Sequence, residues 1–158
     1  MRFLIALVLT GLLFPAAARS ECKVAPQPKL RSTPLEIETS RGKHKLMVEL
    51  AVKEQERACG LMQRPRLDPS SGMLFKQHTI GPAWFWMKNT PEPLDMLFLD
   101  TKGRVLKIEK QTIPFTTNVY GTSENVAAVL EVLAGTAARL SINPGDRVIH
   151  YWFERPKN

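Results

Sequence analysis

The sequence predicts a mainly β (α+β) single domain with two short helices, and three observations carry that expectation. Apolar and polar residues alternate over successive short windows bounded by Gly, Pro, Asn and Asp. Residues 94–99 are apolar on both faces, with Leu94, Met96 and Phe98 pointing one way and Leu97 and Leu99 the other, as in a strand covered on both sides. Helix-forming composition is confined to two short windows, residues 53–62 and 136–140. At 158 residues, 44% of them apolar, the chain is long enough for one domain with its own core.

Residues 1–20 stand apart from that domain. A basic start at Met1-Arg2, an apolar run over residues 3–14, Pro15 and the small residues Ala16-Ala17-Ala18 follow the order of a cleaved secretory signal peptide. The run is too short to cross a hydrocarbon core of about 30 Å, which takes about 20 residues, so no stable membrane anchor is expected after cleavage. Cleavage after Ala18 or after Ser20 fits equally, and the expected location is extracytoplasmic, periplasmic or secreted. Losing Arg2 and Arg19 lowers the formal charge of +7 by two. The remaining basic residues are scattered among acids, so no nucleic-acid partner is expected. A monomer is the simplest expectation. An oxidising compartment and two cysteines, Cys22 and Cys59, make one disulfide the economical inference, with two free thiols as the alternative.

Taken in order, residues 21–34 hold Pro26, Pro28 and Pro34 among polar residues and read as an extended arm, leaving residues 35–158 as the β-rich domain. Residues 35–39 and 46–52 alternate about a turn at Ser40-Arg41-Gly42-Lys43, which predicts a hairpin. A helix of about two turns over residues 53–62 ends where Gly60 can cap it. Turn residues 68–72 lead into a short buried strand, 72–75, and residues 76–82 read as a polar connection. A strand over residues 83–87 then meets the corner Lys88-Asn89-Thr90 and the turn Pro91-Glu92-Pro93 before the apolar strand 94–99. A tight turn at residues 100–103 delivers a strand over 104–111 with Leu106 and Ile108 facing in. Residues 112–125 show no period and read as loop. Residues 126–133 suit either a helix or a buried strand, Gly135 marks a boundary, and residues 147–153 form a last strand.

Arg57, Gly60-Leu61-Met62, Arg64, Leu67, Gly72-Met73-Leu74-Phe75, Phe85-Trp86-Met87-Lys88-Asn89-Thr90, Pro93-Leu94-Asp95 and Phe98-Leu99-Asp100 together resemble the bacterial and archaeal family known as domain of unknown function 192. Val129-Leu130-Glu131-Val132, Gly135 and Pro144-Gly145-Asp146 match its second half, and the resemblance spans roughly residues 35–153. It implies a single-domain antiparallel jelly-roll-like β-sandwich or barrel with short helices, favours a strand over residues 126–133, and brings no activity. Where the family usually has Ile or Val before Pro-Leu-Asp, this chain has Pro91-Glu92, which stiffens the turn.

Asp95 and Glu131 each stand alone in an apolar strand, where an unpaired carboxylate is expensive. Lys88, Asn89 and Arg57 are the candidate partners. Two sheltered carboxylates with a lysine and an amide can bind hydroxyls, or act as general acid and base in a hydrolase. The same residues can equally form a buried network that fixes strand register. Trp84 and Trp86 share one side of a strand, with Phe85 opposite, and Trp86 can offer a flat face to a sugar ring or simply fill the core. Asn89 and Thr90 serve a ligand site or a turn. The methionines Met47, Met62, Met73, Met87 and Met96 suggest a periplasmic Cu(I)-binding protein as a further alternative, but they lack compact spacing and fit core packing better. His44, His78 and His150 are far apart in sequence, and no phosphate loop, nucleophile elbow or zinc spacing occurs. The expected function is therefore a binding domain for a small polar or sugar-like ligand, without cofactor or metal, using Arg57, Trp86, Lys88, Asn89, Thr90, Asp95 and Glu131. Catalysis by Asp95 and Glu131 is the enzymatic alternative.

Overall fold

Branched and aromatic residues in alternation build most of this chain, and 47% of it is strand. The computed structural model describes residues 21–153, so the expected signal segment lies outside the described residues. The elements are β1 (Ser32–Thr39), β2 (Gly42–Ala51), α1 (Glu54–Cys59), β3 (Ser71–Phe85), β4 (Leu94–Leu99), β5 (Val105–Glu109), β6 (Tyr120–Leu133), α2 (Thr136–Arg139) and β7 (Arg147–Ile149). They form one seven-stranded sheet in the order β5-β4-β6-β3-β2-β1-β7, curled into a half-barrel. Every pair is antiparallel except β2 with β3, which are parallel because α1 and its flanking loops carry the chain back across the sheet. No helix among the described residues is long and apolar enough to cross a membrane.

The curl brings the two ends of the sheet together at one point. Val105 N–H donates to Asp146 O, Gly145 N–H to Val105 O and Val148 N–H to Gly103 O, all at 2.8–2.9 Å. Gly103 sits at φ +76°, and a Cβ there would collide with the Val148 carbonyl, so this seam requires glycine. Strand alternation then sorts the apolar residues into two layers. The inner layer contains Ile37, Val48, Leu74, Leu97, Leu130 and Val148, with Ala137 and Leu140 of the α2 region. The outer layer contains Met73, Phe75, Met96, Phe98 and Val129, covered by Leu61 and Met87 and flanked by Phe85.

Several elements differ from the sequence expectation. Residues 76–82 are not a connection but the middle of β3, paired with β6 at Lys76 and Gly81 across two register shifts, and residues 120–125 extend β6 so that residues 120–122 pair with residues 83–85. β2 pairs only with residues 71–75 of β3, so the rest of β3 has its ladder on one side and tolerates polar, exposed residues. In β5 a shift between Phe98 and Leu99 turns Val105 and Ile108 toward the inner layer and leaves Leu106 against the outer one. β7 is three residues long. It ends at His150, whose ring hydrogen-bonds Thr33 Oγ1 at 3.0 Å through Nε2 and accepts the Trp152 N–H at Nδ1. Residues 126–133 are strand.

The arm is ordered as far as β1. Cys22 and Cys59 form a disulfide with Cα atoms 4.6 Å apart, tying the arm to the end of α1. Gln27 donates to Glu56 O and Gly60 O at 2.9 Å. Arg64 completes the clamp, pairing with Glu49 at 2.7 Å and donating to the carbonyls of Gln27 and Pro28.

Candidate functional site

The corner after β3 is built from backbone chemistry. Asn89 takes φ +58°, its carbonyl accepts Gln63 N–H, and its side chain is exposed. Thr90 is buried, donates its N–H to Met87 O and accepts Phe115 N–H on its carbonyl. Pro91 and Glu92 stiffen the corner as the departure from the family pattern implies, and the Glu92 carboxylate accepts Arg66 N–H at 2.9 Å. Lys88 lies with Nζ 5.3 Å from the centre of the Trp86 ring, a cation–π distance.

Between this corner and α1 opens a groove of about 530 Å³. Arg57 and residues 60–62 form one wall, residues 82–86 the other, and Phe75, Thr90 and Glu131 complete the lining. The groove therefore gathers Arg57, Trp86, Thr90 and Glu131 from three parts of the chain, α1, the corner after β3 and β6, with Lys88 over the Trp86 ring. Phe85 packs edge-on to Phe75 and Phe98 at 5.2 and 6.2 Å, which fixes the end of β3 on the outer layer. Gly121 lies opposite Trp84 in the ladder, and a Cβ there would strike both the Ala83 carbonyl and the Trp84 ring.

Glu131 is the chemically unusual group. It is 4% exposed, and its register partners on either side are Met73 and Met96. Among the described residues no donor or cation meets its carboxyl. Burial among thioethers and rings, without compensating charge, pushes its pKa up from 4.5 to about 8. At neutral pH it is mostly a neutral acid, able both to donate and to accept a hydrogen bond.

Asp95 is placed elsewhere. It faces Val132 in the β4–β6 ladder, whereas Glu131 faces Met96, so alternation sends the two carboxylates to opposite faces of the sheet. Asp95 is 1% exposed and accepts Gln111 N–H at 2.9 Å and Ala137 N–H at 2.8 Å, one on each oxygen. Neither Lys88 nor Arg57 pairs with it; two backbone amides do. The proposed acid–base pair of a hydrolase is thus not assembled: a single substrate cannot lie against both faces of a covered sheet. Nor do the methionines converge, since Met47 is 51% exposed on β2 while Met73, Met87 and Met96 fill the outer layer. Cys59 is held in the disulfide and His150 is engaged with Thr33.

Glu54 and Gln77 also line the groove and were not expected from sequence. Gln77 lies in the polar stretch that reads as connection, between the paired positions Lys76 and Gly81 of β3.

The comparisons with known proteins agree with this architecture. Residues 36–150 match the family DUF192, described as Uncharacterized ACR. A Sinorhizobium meliloti 1021 protein, described provisionally as a transcription regulator, has a similar crystal structure with TM-score 0.77 and 38% identity, over 80% of this chain and 99% of that one. A protein of unknown function from Novosphingobium aromaticivorans DSM 12444 aligns with TM-score 0.75 and 36% identity, over 85% of this chain and 94% of the other. No curated protein matches the sequence.

Proposed function

This chain belongs to the DUF192 family, which carries no assigned activity, and from the groove itself we propose that it is an extracytoplasmic binding domain for a small polar, sugar-like ligand. The carrying observation is Glu131, a buried carboxyl that lines the groove and has no partner among the described residues. A ligand hydroxyl that both gives and takes a hydrogen bond suits a carboxyl that is neutral at pH 7. A groove of about 530 Å³ suits a monosaccharide or small disaccharide. Trp86, with Lys88 over its ring, lines the wall, and Arg57 and Thr90 add polar contacts. Asp95 has no part in this site, because its oxygens are already used. The Cys22–Cys59 disulfide supports an oxidising, extracytoplasmic setting.

A thermal-shift panel of monosaccharides, disaccharides and polyols tests this reading. At least one compound should raise the wild-type midpoint and be recovered chemically unchanged. Its effect should vanish in Trp86→Ala and change in Glu131→Gln. A panel in which nothing shifts the wild type, or in which Glu131→Leu binds as well as the wild type, removes the proposal.

A further inference from the structure

The cations around the groove differ from those elsewhere in the molecule. Arg64 is paired with Glu49 at 2.7 Å, Arg104 with Asp100 at 2.8 Å, Lys107 with Glu109 at 2.7 Å and Lys43 with Glu38 at 2.7 Å. Arg57 has no carboxylate partner among the described residues, although Glu54 lies three positions earlier on the same helix. One guanidinium nitrogen, Nη1, donates to the Val52 carbonyl, which anchors the half-buried side chain at the groove wall. Lys88, also half-buried, sits over the Trp86 ring and likewise lacks a carboxylate. The groove thus carries a held guanidinium on its α1 wall, with the Lys88 ammonium over the Trp86 ring of the other wall, and among the described residues neither forms an ion pair.

We propose that the groove selects a hydroxylated carboxylate, a sugar acid of the uronate type, over its neutral counterpart, with Arg57 holding the ligand carboxylate. This rests on the binding reading above and adds the charge of the ligand. A guanidinium fixed by one nitrogen keeps further N–H groups in a planar fork that matches a carboxylate, where a point charge would give less geometric selection. A ligand hydroxyl would meet Glu131, which lines the same groove as Arg57. The groove acids do not oppose an anion strongly. Glu54 is exposed and screened by water, and burial keeps Glu131 mostly protonated below pH about 8.

D-Glucuronate and D-glucose share the ring and hydroxyls and differ in the carboxylate, so their calorimetric titration into the protein at pH 7 and low ionic strength isolates the charge. Glucuronate should bind at least tenfold more tightly, equivalent to about 1.4 kcal/mol. Arg57→Gln should abolish that preference, and Arg57→Lys should restore only part of it. Raising salt to 0.5 M should narrow the gap. If the two sugars bind alike, or the preference survives Arg57→Gln, the charge selection is wrong while the sugar-binding reading stands. If neither compound binds wild-type protein, and no member of the wider sugar panel does, both fall together.

Discussion

Asp95 on β4 and Glu131 on β6 occupy adjacent positions in one ladder, both are nearly inaccessible, and they are chemically opposite. Asp95 faces the inner layer and accepts a backbone N–H on each oxygen, one from the loop after β5 and one from the first turn of α2. It pins two segments that would otherwise leave unpaired amides in the interior. Glu131 faces the outer layer, has only apolar register neighbours and meets the groove. Burial alone therefore does not mark a functional carboxylate; what separates the two is whether the fold supplies the partner. Where it does, the charge is part of the architecture. Where it does not, stability has been given up at a place a ligand can reach.

The comparison is broken most forcefully at Asp95. Asp95→Ala would strand the buried Ala137 N–H and the part-buried Gln111 N–H and remove two charge-assisted hydrogen bonds, so chemical denaturation should show a loss of about 2–5 kcal/mol. A loss under 1 kcal/mol would mean that Asp95 is not the pin described here. Reduction of Cys22–Cys59 acts on the groove side only: it frees the arm from α1 and should cost about 2–4 kcal/mol without abolishing the fold. Far-UV circular dichroism of the reduced, alkylated protein should retain its strand signal.

Glu131 should behave in the reverse sense to Asp95. Its folded pKa of about 8 lies above the ordinary 4.5, so between those values the folded state holds a proton that the unfolded chain has lost. Its contribution is fully present below pH 4.5 and is lost as pH rises to about 8, at about 1.4 kcal/mol per pH unit within the window. Glu131→Gln removes this slope. The variant should match the wild type near pH 4.5 and exceed it by about 1–3 kcal/mol at pH 7 in urea titrations at both pH values. Equal pH dependence in the two proteins would show that Glu131 is solvated or paired. The smallest effect belongs to Arg57, which makes no ion pair among the described residues; Arg57→Gln should change stability by no more than about 0.5 kcal/mol. A larger loss would make Arg57 a structural residue.

Alternation, turn chemistry and local composition determined the β-rich class, both short helices and the isolation of Asp95 and Glu131 in apolar strands. These depend on period and composition within a few residues, which a sequence displays directly. The family resemblance, carried by the block Trp86-Met87-Lys88-Asn89-Thr90, favoured strand over helix for residues 126–133, where propensity is undecided. What tertiary structure decided is everything that depends on a distant partner. Residues 76–82 and 120–125 look like loops because their side chains are polar, yet they are strand because β3 and β6 continue to pair there, Lys76 with Ala128, Gly81 with Val126 and Thr122 with Ala83. The amides that satisfy Asp95 come from positions 111 and 137, and no local pattern announces a backbone N–H as a partner. The face on which each carboxylate lies follows from register between β4 and β6, and a slip of β4 by one residue would put both on the same face. The pattern within a strand fixes which residues share a face; only the pairing of strands fixes what that face looks onto.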